Sequence, residues 1–172
     1  IKERGDDYIV VSALDAQMLT RLKPFLGRKR PQPAKMKNDG GTSDDERKAR
    51  YDDRDCRVSW FNAAEQIPWL HDRLEAIVRD VANVRWPLLR LDAAGKLRCV
   101  FEETQYAVYG EGQHFKAWHR DAFEDGNDRE DARQVTVVVM LTQRSSYEGG
   151  DFQAKICGTK RIKKIRLEAG DA

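Results

Sequence analysis

The sequence predicts an α+β domain, with helices first and then a sandwich or jelly-roll core of short strands. Helical apolar spacing is confined to the first half, at Leu14, Met18, Leu19 and Leu22 and again from Trp69 to Val81. From Lys96 onward, short β-favouring stretches alternate with polar, glycine-containing turns. Residues 135–141, VTVVVML, form a β-branched apolar run that suits a buried central strand better than a helix. Helices followed by many short strands is the order expected of a segregated α+β core.

Taken in order, residues 8–11 are a strand candidate, and Ser12 can cap a helix over residues 13–25 that Pro24 and Gly27 close. Residues 28–55 lose nearly all apolar character, a basic half preceding a more acidic one, and are expected to form a mobile loop. A lid that contacts substrate is the functional alternative, because long insertions in compact domains often act. Residues 57–61 read as a strand. Pro68 suits the first turn of a second helix whose stripe is Trp69, Leu70, Leu74, Ile77, Val78 and Val81, with His71 a boundary residue. Strands follow over 97–109, 135–141, 152–156 and 161–167, with turns at Gly149-Gly150 and Gly158.

A chain of 172 residues suits one domain, taken as 1–172, and its net charge of +2 makes no global field for a nucleic-acid or membrane partner. Cys56, Cys99 and Cys157 are odd in number and form no CxxC pair, which argues against a disulfide scaffold or zinc ribbon. Reduced thiols and a cytoplasmic location are the expectation. No apolar stretch reaches membrane-spanning length and no signal peptide is visible, so no membrane partner is expected. The chain opens on Ile1 and stops at Gly170-Asp171-Ala172 in mid-pattern, so it is expected to be a segment of a longer protein.

The chemistry concentrates in residues 105–121, QYAVYGEGQHFKAWHRD. His119 and Asp121 are two apart, which on a strand points both side chains to one face. One imidazole and one carboxylate so aligned make two corners of a 2-His-1-carboxylate triad, which holds iron(II) and leaves positions open. A surface ion pair is the other reading of that spacing. Gly110 and Gly112 permit a tight approach before the strand, and Phe115 and Trp118 can wall a site from water.

Tyr109, Gly112, Phe115, His119 and Asp121, then Arg133, Thr136 and Leu141, then Glu148-Gly149-Gly150, follow in order the pattern of prolyl 4-hydroxylase-type oxygenases. The sequence resembles that family of iron(II)/2-oxoglutarate enzymes from about residue 57 to the C-terminus, with Arg57-Val58-Ser59-Trp60 like its opening strand. The stretch YEGGDFQ and the final GTKRIKKIRLEAGDA are closest to the branch called PKHD-type hydroxylases. The resemblance implies a double-stranded β-helix (jelly-roll, cupin-like) core with N-terminal supporting helices. His119 and Asp121 then become metal ligands, while Tyr109, Thr136 and Arg133 become cosubstrate-binding residues, with Arg133 equally suited to a framework role. Phe115, Trp118 and Met140 become pocket wall, and Met140 stands where many members have tyrosine. The family's second metal histidine and its 2-oxoglutarate-binding basic residue follow the AGD motif, so neither is expected within these residues. His71 and His114 are expected elsewhere, His114 on a turn or rim.

Iron(II) as cofactor, 2-oxoglutarate and O2 as cosubstrates, and ascorbate as a candidate accessory follow from the same likeness. The implied activity is hydroxylation of a C–H bond, with a peptidyl prolyl or other amino-acid side chain in a peptide or protein as leading substrate. One rival is a catalytically inactive jelly-roll binding module. The other is a nucleic-acid-modifying relative, suggested by the basic runs at 28–37 and 155–166, although an exposed hairpin face accounts better for the second run.

Overall fold

The computed structural model describes residues 1–5, 8–34, 54–85, 99–116, 118, 119, 121, 133, 135–156 and 158–172. Two short strands, β1 (Glu3–Arg4) and β2 (Ile9–Val10), form an antiparallel pair ahead of helix α1 (Ala16–Gly27). The helix begins later than its spacing suggests. Ala13 and Leu14 both donate their N–H groups to the Gly170 carbonyl, which leaves Asp15 to cap the helix by accepting from the Met18 N–H at 2.8 Å. Ser12, the expected cap, instead bridges Asp171. Pro24 lies inside the helix rather than ending it. It sits in the last turn, where only one ladder bond is lost, and Arg28 and Lys29 close that turn onto Phe25 and Leu26.

Next come β3 (Gln32–Pro33), β4 (Arg54–Asp55) and β5 (Arg57–Phe61). The loop expected over 28–55 thus begins and ends in paired strands, and residues 35–53 lie outside the described residues. Asn62 caps a one-turn helix α2 (Ala63–Gln66), and Pro68 starts α3 (Pro68–Arg85), as its fixed φ favours. Strand β6 (Thr104–Val108) is shorter than the 97–109 stretch, and β7 (His114–Phe115) follows a turn in which Gly112 has φ +74°. The chain closes with a 3-10 turn (Arg144–Ser146) and the antiparallel ribbon β8 (Phe152–Lys155) and β9 (Ile162–Ile165).

All described pairings are antiparallel: a three-stranded sheet in the order β3-β5-β6 and the three two-stranded pairs β1-β2, β4-β7 and β8-β9. This is α+β; the double-stranded β-helix itself is not shown by the described residues. Residues 135–141 are not assigned as a strand. Met140 nevertheless exchanges two backbone bonds with Gly170 and Asp171, while Val137, Val139 and Leu141 turn toward the helices.

The main core lies between α1, α3 and one face of the sheet. Leu14, Leu22, Phe61, Ile67, Leu70 and Leu74 are buried there, and Phe25 meets Phe61 edge-on at 5.0 Å. The opposite sheet face buries Ala34, Cys56 and Val58 in a smaller cluster with Ala107. A third cluster joins Val10 to Ile165 and Leu167, with Met140 packed against it. On the ribbon, Ile165 is buried but Ile162 is 55% exposed, so the isoleucines do not share one surface.

The turn at Gly170-Asp171 draws these parts together. Gly170 has φ +91°, and a Cβ there would fall on the Leu14 carbonyl oxygen. Buried Asp171 takes the Lys2 ammonium at 2.6 Å and the Glu168 N–H at 3.0 Å. Gly170→Ala is therefore expected to lower stability by about 3 kcal/mol, since it adds left-handed strain to a backbone clash. A urea midpoint equal to that of the wild type would contradict this role for the turn.

Candidate metal centre

The β5–β6 register pairs Ser59 with Tyr106 and Phe61 with Thr104. Because side chains alternate, burying Phe61 and Tyr106 against the helices sends Gln105 and Ala107 to the other face. The 110–113 turn then reverses the chain: Gln113 accepts the Gly110 N–H with its side-chain oxygen and donates to Asp55 at 2.9 Å. That reversal places Phe115 opposite Arg54 and His114 opposite Asp55 in the β4–β7 pair. His119 and Asp121 follow within six residues.

His119 Nε2 lies 3.3 Å from Asp121 Oδ1, although neither residue belongs to an assigned strand, so the alternation expected of a strand is not what brings them together. Their side chains are 47% and 34% exposed, which leaves one side open to a ligand. The Phe115 ring stacks on the imidazole at 4.4 Å and 19°. Arg133 Nη1 reaches Asp121 at 3.8 Å, but the same guanidinium makes a two-point pair with Glu102. Arg133 thus reaches the same carboxylate oxygen that His119 faces, and its own bond to Glu102 holds its pKa above the ordinary arginine value.

Tyr109 stands on the Cys56 side of the sheet. It is 45% exposed overall, yet its hydroxyl is turned onto Cys56 and Arg54. Burial of that end, then the Cys56 contact, push its pKa up to about 12. Trp118 is 52% exposed, and Thr136 is also exposed. Met140, expected on the pocket wall, packs in the third core cluster, with the Tyr147 hydroxyl 3.9 Å from its sulfur. His71 sits on α3 beside Asp72 and the Phe101 ring, and His114 lies in β7 with Nδ1 3.3 Å from the Gly112 carbonyl. Sequence reading missed Arg54, Cys56 and Gln105: Arg54 Nε is 3.2 Å from Cys56 Sγ and its Nη2 donates to Gln105 Oε1 at 2.8 Å. Only the β4–β7 pairing reveals Arg54, and that pairing spans sixty residues of sequence.

As a donor set, one imidazole and one carboxylate suit iron(II), zinc or manganese. Two neighbouring ligands about 2.1 Å from one ion sit about 3 Å apart, so the observed separation fits such a pair. Among the described residues no third histidine, cysteine, aspartate or glutamate joins them.

The raised Tyr109 pKa has a stability consequence. The folded state holds this proton more tightly than the unfolded chain, so the contribution is complete below about pH 10 and is lost as pH rises toward 12. Alkaline difference spectroscopy should show tyrosine ionisation extending to about pH 12, and Tyr109→Phe should remove the latest step, Tyr8 being raised as well by its bond to Glu3. Its persistence in the variant would assign it to another tyrosine.

No curated protein and no solved structure gives a significant match. The profile of the 2OG-Fe(II) oxygenase superfamily matches residues 104–172, the stretch that runs from β6 through His119 and Asp121 to the Gly170-Asp171 turn, and so supports dioxygenase chemistry with iron(II) and 2-oxoglutarate.

Proposed function

We propose that this chain carries part of the active site of an iron(II)/2-oxoglutarate-dependent dioxygenase that hydroxylates a C–H bond. The observation that carries the reading is the 3.3 Å His119–Asp121 pair, open on one side and lying inside the matched segment. A peptidyl prolyl or other amino-acid side chain is the leading substrate class, and the PKHD-type branch the nearest likeness. A double-stranded β-helix core with its helices on one outer face fits the sheet seen here, because the pair stands beyond the face those helices leave free. The three thiols of a chain without CxxC, Cys56 among them buried and free, suit a cytoplasmic setting.

When bound, iron with 2-oxoglutarate and O2 supplies the oxidising chemistry, with succinate and CO2 as coproducts and ascorbate an accessory reductant. The chain's own residues hold and shield. His119 and Asp121 supply two donors, and Arg133 steadies the carboxylate from outside. Tyr109 keeps its proton throughout the neutral range, and its hydroxyl, here turned onto Cys56 and Arg54, would have to leave them to donate to a cosubstrate carboxylate. Phe115 shields one face of the imidazole from water, and in this reading Trp118 is pocket wall and Thr136 a cosubstrate contact, both side chains being exposed. The reading requires a third protein ligand, which the resemblance to prolyl 4-hydroxylase-type enzymes places after the Gly170-Asp171 turn.

A nucleic-acid-modifying relative is the second reading, favoured by Lys155, Lys164 and Arg166 on the outward face of the β8–β9 ribbon. It is weakened because Lys164 is engaged by Asp151 and Lys163 by Glu3. The decisive assay is succinate release from 2-oxoglutarate by the full-length protein. Turnover should need added iron(II), stop with a chelator and return with fresh iron. His119→Ala and Asp121→Ala should each lower it by more than the about 10–100-fold that losing an outer-shell partner costs. Undiminished turnover in either variant rules out the pair as ligands. No turnover from iron-loaded protein across peptide and nucleic-acid substrates favours an inactive binding module.

A further inference from the structure

We propose that Arg54 is a positioning residue for the His119–Asp121 pair, acting through Phe115. The inference rests on the metal-site reading above and adds a part of the site that lies far from it in sequence. Antiparallel pairing of β4 with β7 sets Arg54 directly opposite Phe115. The Arg54 guanidinium lies over the Phe115 ring, 4.7 Å from its centroid, and that ring stacks on the His119 imidazole at 4.4 Å. A cation over an aromatic face and a second ring stacked on it are both attractive arrangements, so the tilt of the imidazole is coupled to where the guanidinium stands.

Three groups hold that guanidinium. Cys56 Sγ takes Nε, Gln105 Oε1 takes Nη2, and the Tyr109 hydroxyl is its third neighbour. Cys56 is only 2% exposed and the Gln105 backbone is fixed in the β5–β6 ladder, so one anchor belongs to the core and the other rises from a paired strand. Rigid sheet, planar fork, phenyl ring and imidazole form one continuous support. At metal sites the partners behind a ligating histidine commonly fix its ring plane by hydrogen bonding. Here the same task falls to stacking. A lysine could supply the charge, but not the flat fork that meets Gln105 and Cys56 together.

The test compares wild type, Arg54→Met, Gln105→Leu, Phe115→Leu and His119→Ala in the full-length protein, with two readouts besides turnover. In metal-free protein, imidazole protons observed by carbon-correlated NMR should show a Phe115 ring-current shift at His119. That shift should vanish in Phe115→Leu and shrink in Arg54→Met and Gln105→Leu, while His71 stays unmoved. With cobalt(II) as the probe, Arg54→Met should weaken binding about tenfold or more and alter the ligand-field spectrum. Gln105→Leu, which removes one tether alone, decides the matter if Arg54→Met does not fold. An unchanged His119 shift and unchanged cobalt affinity in both variants, with binding lost in His119→Ala, overturn the role of Arg54 and leave the metal site standing. Equal cobalt binding by wild type and His119→Ala removes the metal site, and this inference with it.

Discussion

The fold and the site both depend on which way the β5–β6 ladder faces. Phe61 and Tyr106 must lie toward α1 and α3, where Phe61 meets Phe25 and lies among Leu22, Leu70 and Leu74. Pairing of Ser59 with Tyr106 then leaves Gln105 and Ala107 no choice but the opposite face. A slip by one residue would exchange the two sets, exposing Phe61 and carrying Gln105 away from Arg54. The register that buries the helices' apolar stripes is thus the same register that builds the back wall of the candidate metal centre. Core packing and site assembly cannot be separated in this chain.

A second constraint acts at the other end of the sequence. The Gly170 carbonyl accepts two N–H groups from the start of the first helical segment, and the Met140 and Val11 backbones pair with residues 170–172. Asp171 is buried, yet its carboxylate meets both Lys2 and the Glu168 N–H, so a group that would be costly to bury alone is satisfied. Residues over 150 positions apart are therefore fastened by backbone bonds and one ion pair. That clamp holds the 135–141 segment with Val137 and Val139 toward the helices without a full strand ladder.

Much of this was legible from residue pattern. Strand 57–61, the helix opening on Pro68 and the ribbon's strands appear where alternation and periodicity place them, whereas His119 and Asp121 lie close together outside any assigned strand. What failed to show has a common cause: it depends on partners distant in sequence. Ser12 is a good cap by type, but its backbone bridges Asp171 and the next two N–H groups are held by the Gly170 carbonyl, so this stretch is extended against the turn and the helix starts after Asp15. Pro24 reads as a stop, yet a proline in a last turn forfeits little. Met140 was placed on a wall by likeness to a tyrosine position, whereas Ile165 and Leu167 offer it an apolar cluster. Arg54 sits among other arginines and aspartates, and nothing local distinguishes it from a solvated side chain. Only strand pairing does.

The energetics of the His119–Asp121 pair bear on what it is for. An ion pair with both partners a third or more exposed is worth about 0–1 kcal/mol at best, and less in salt. Ordering those side chains costs rotamer entropy of similar size, so as a stabilising contact the pair achieves almost nothing. Yet it is backed on one side by a stacked ring beneath a tethered guanidinium and on the other by an arginine already paired with Glu102. Such support is out of proportion to a surface salt bridge. It would suit the proposed metal site, whose donors would hold their places until an ion arrives, because a pre-ordered pair binds without meeting the ordering cost at that moment.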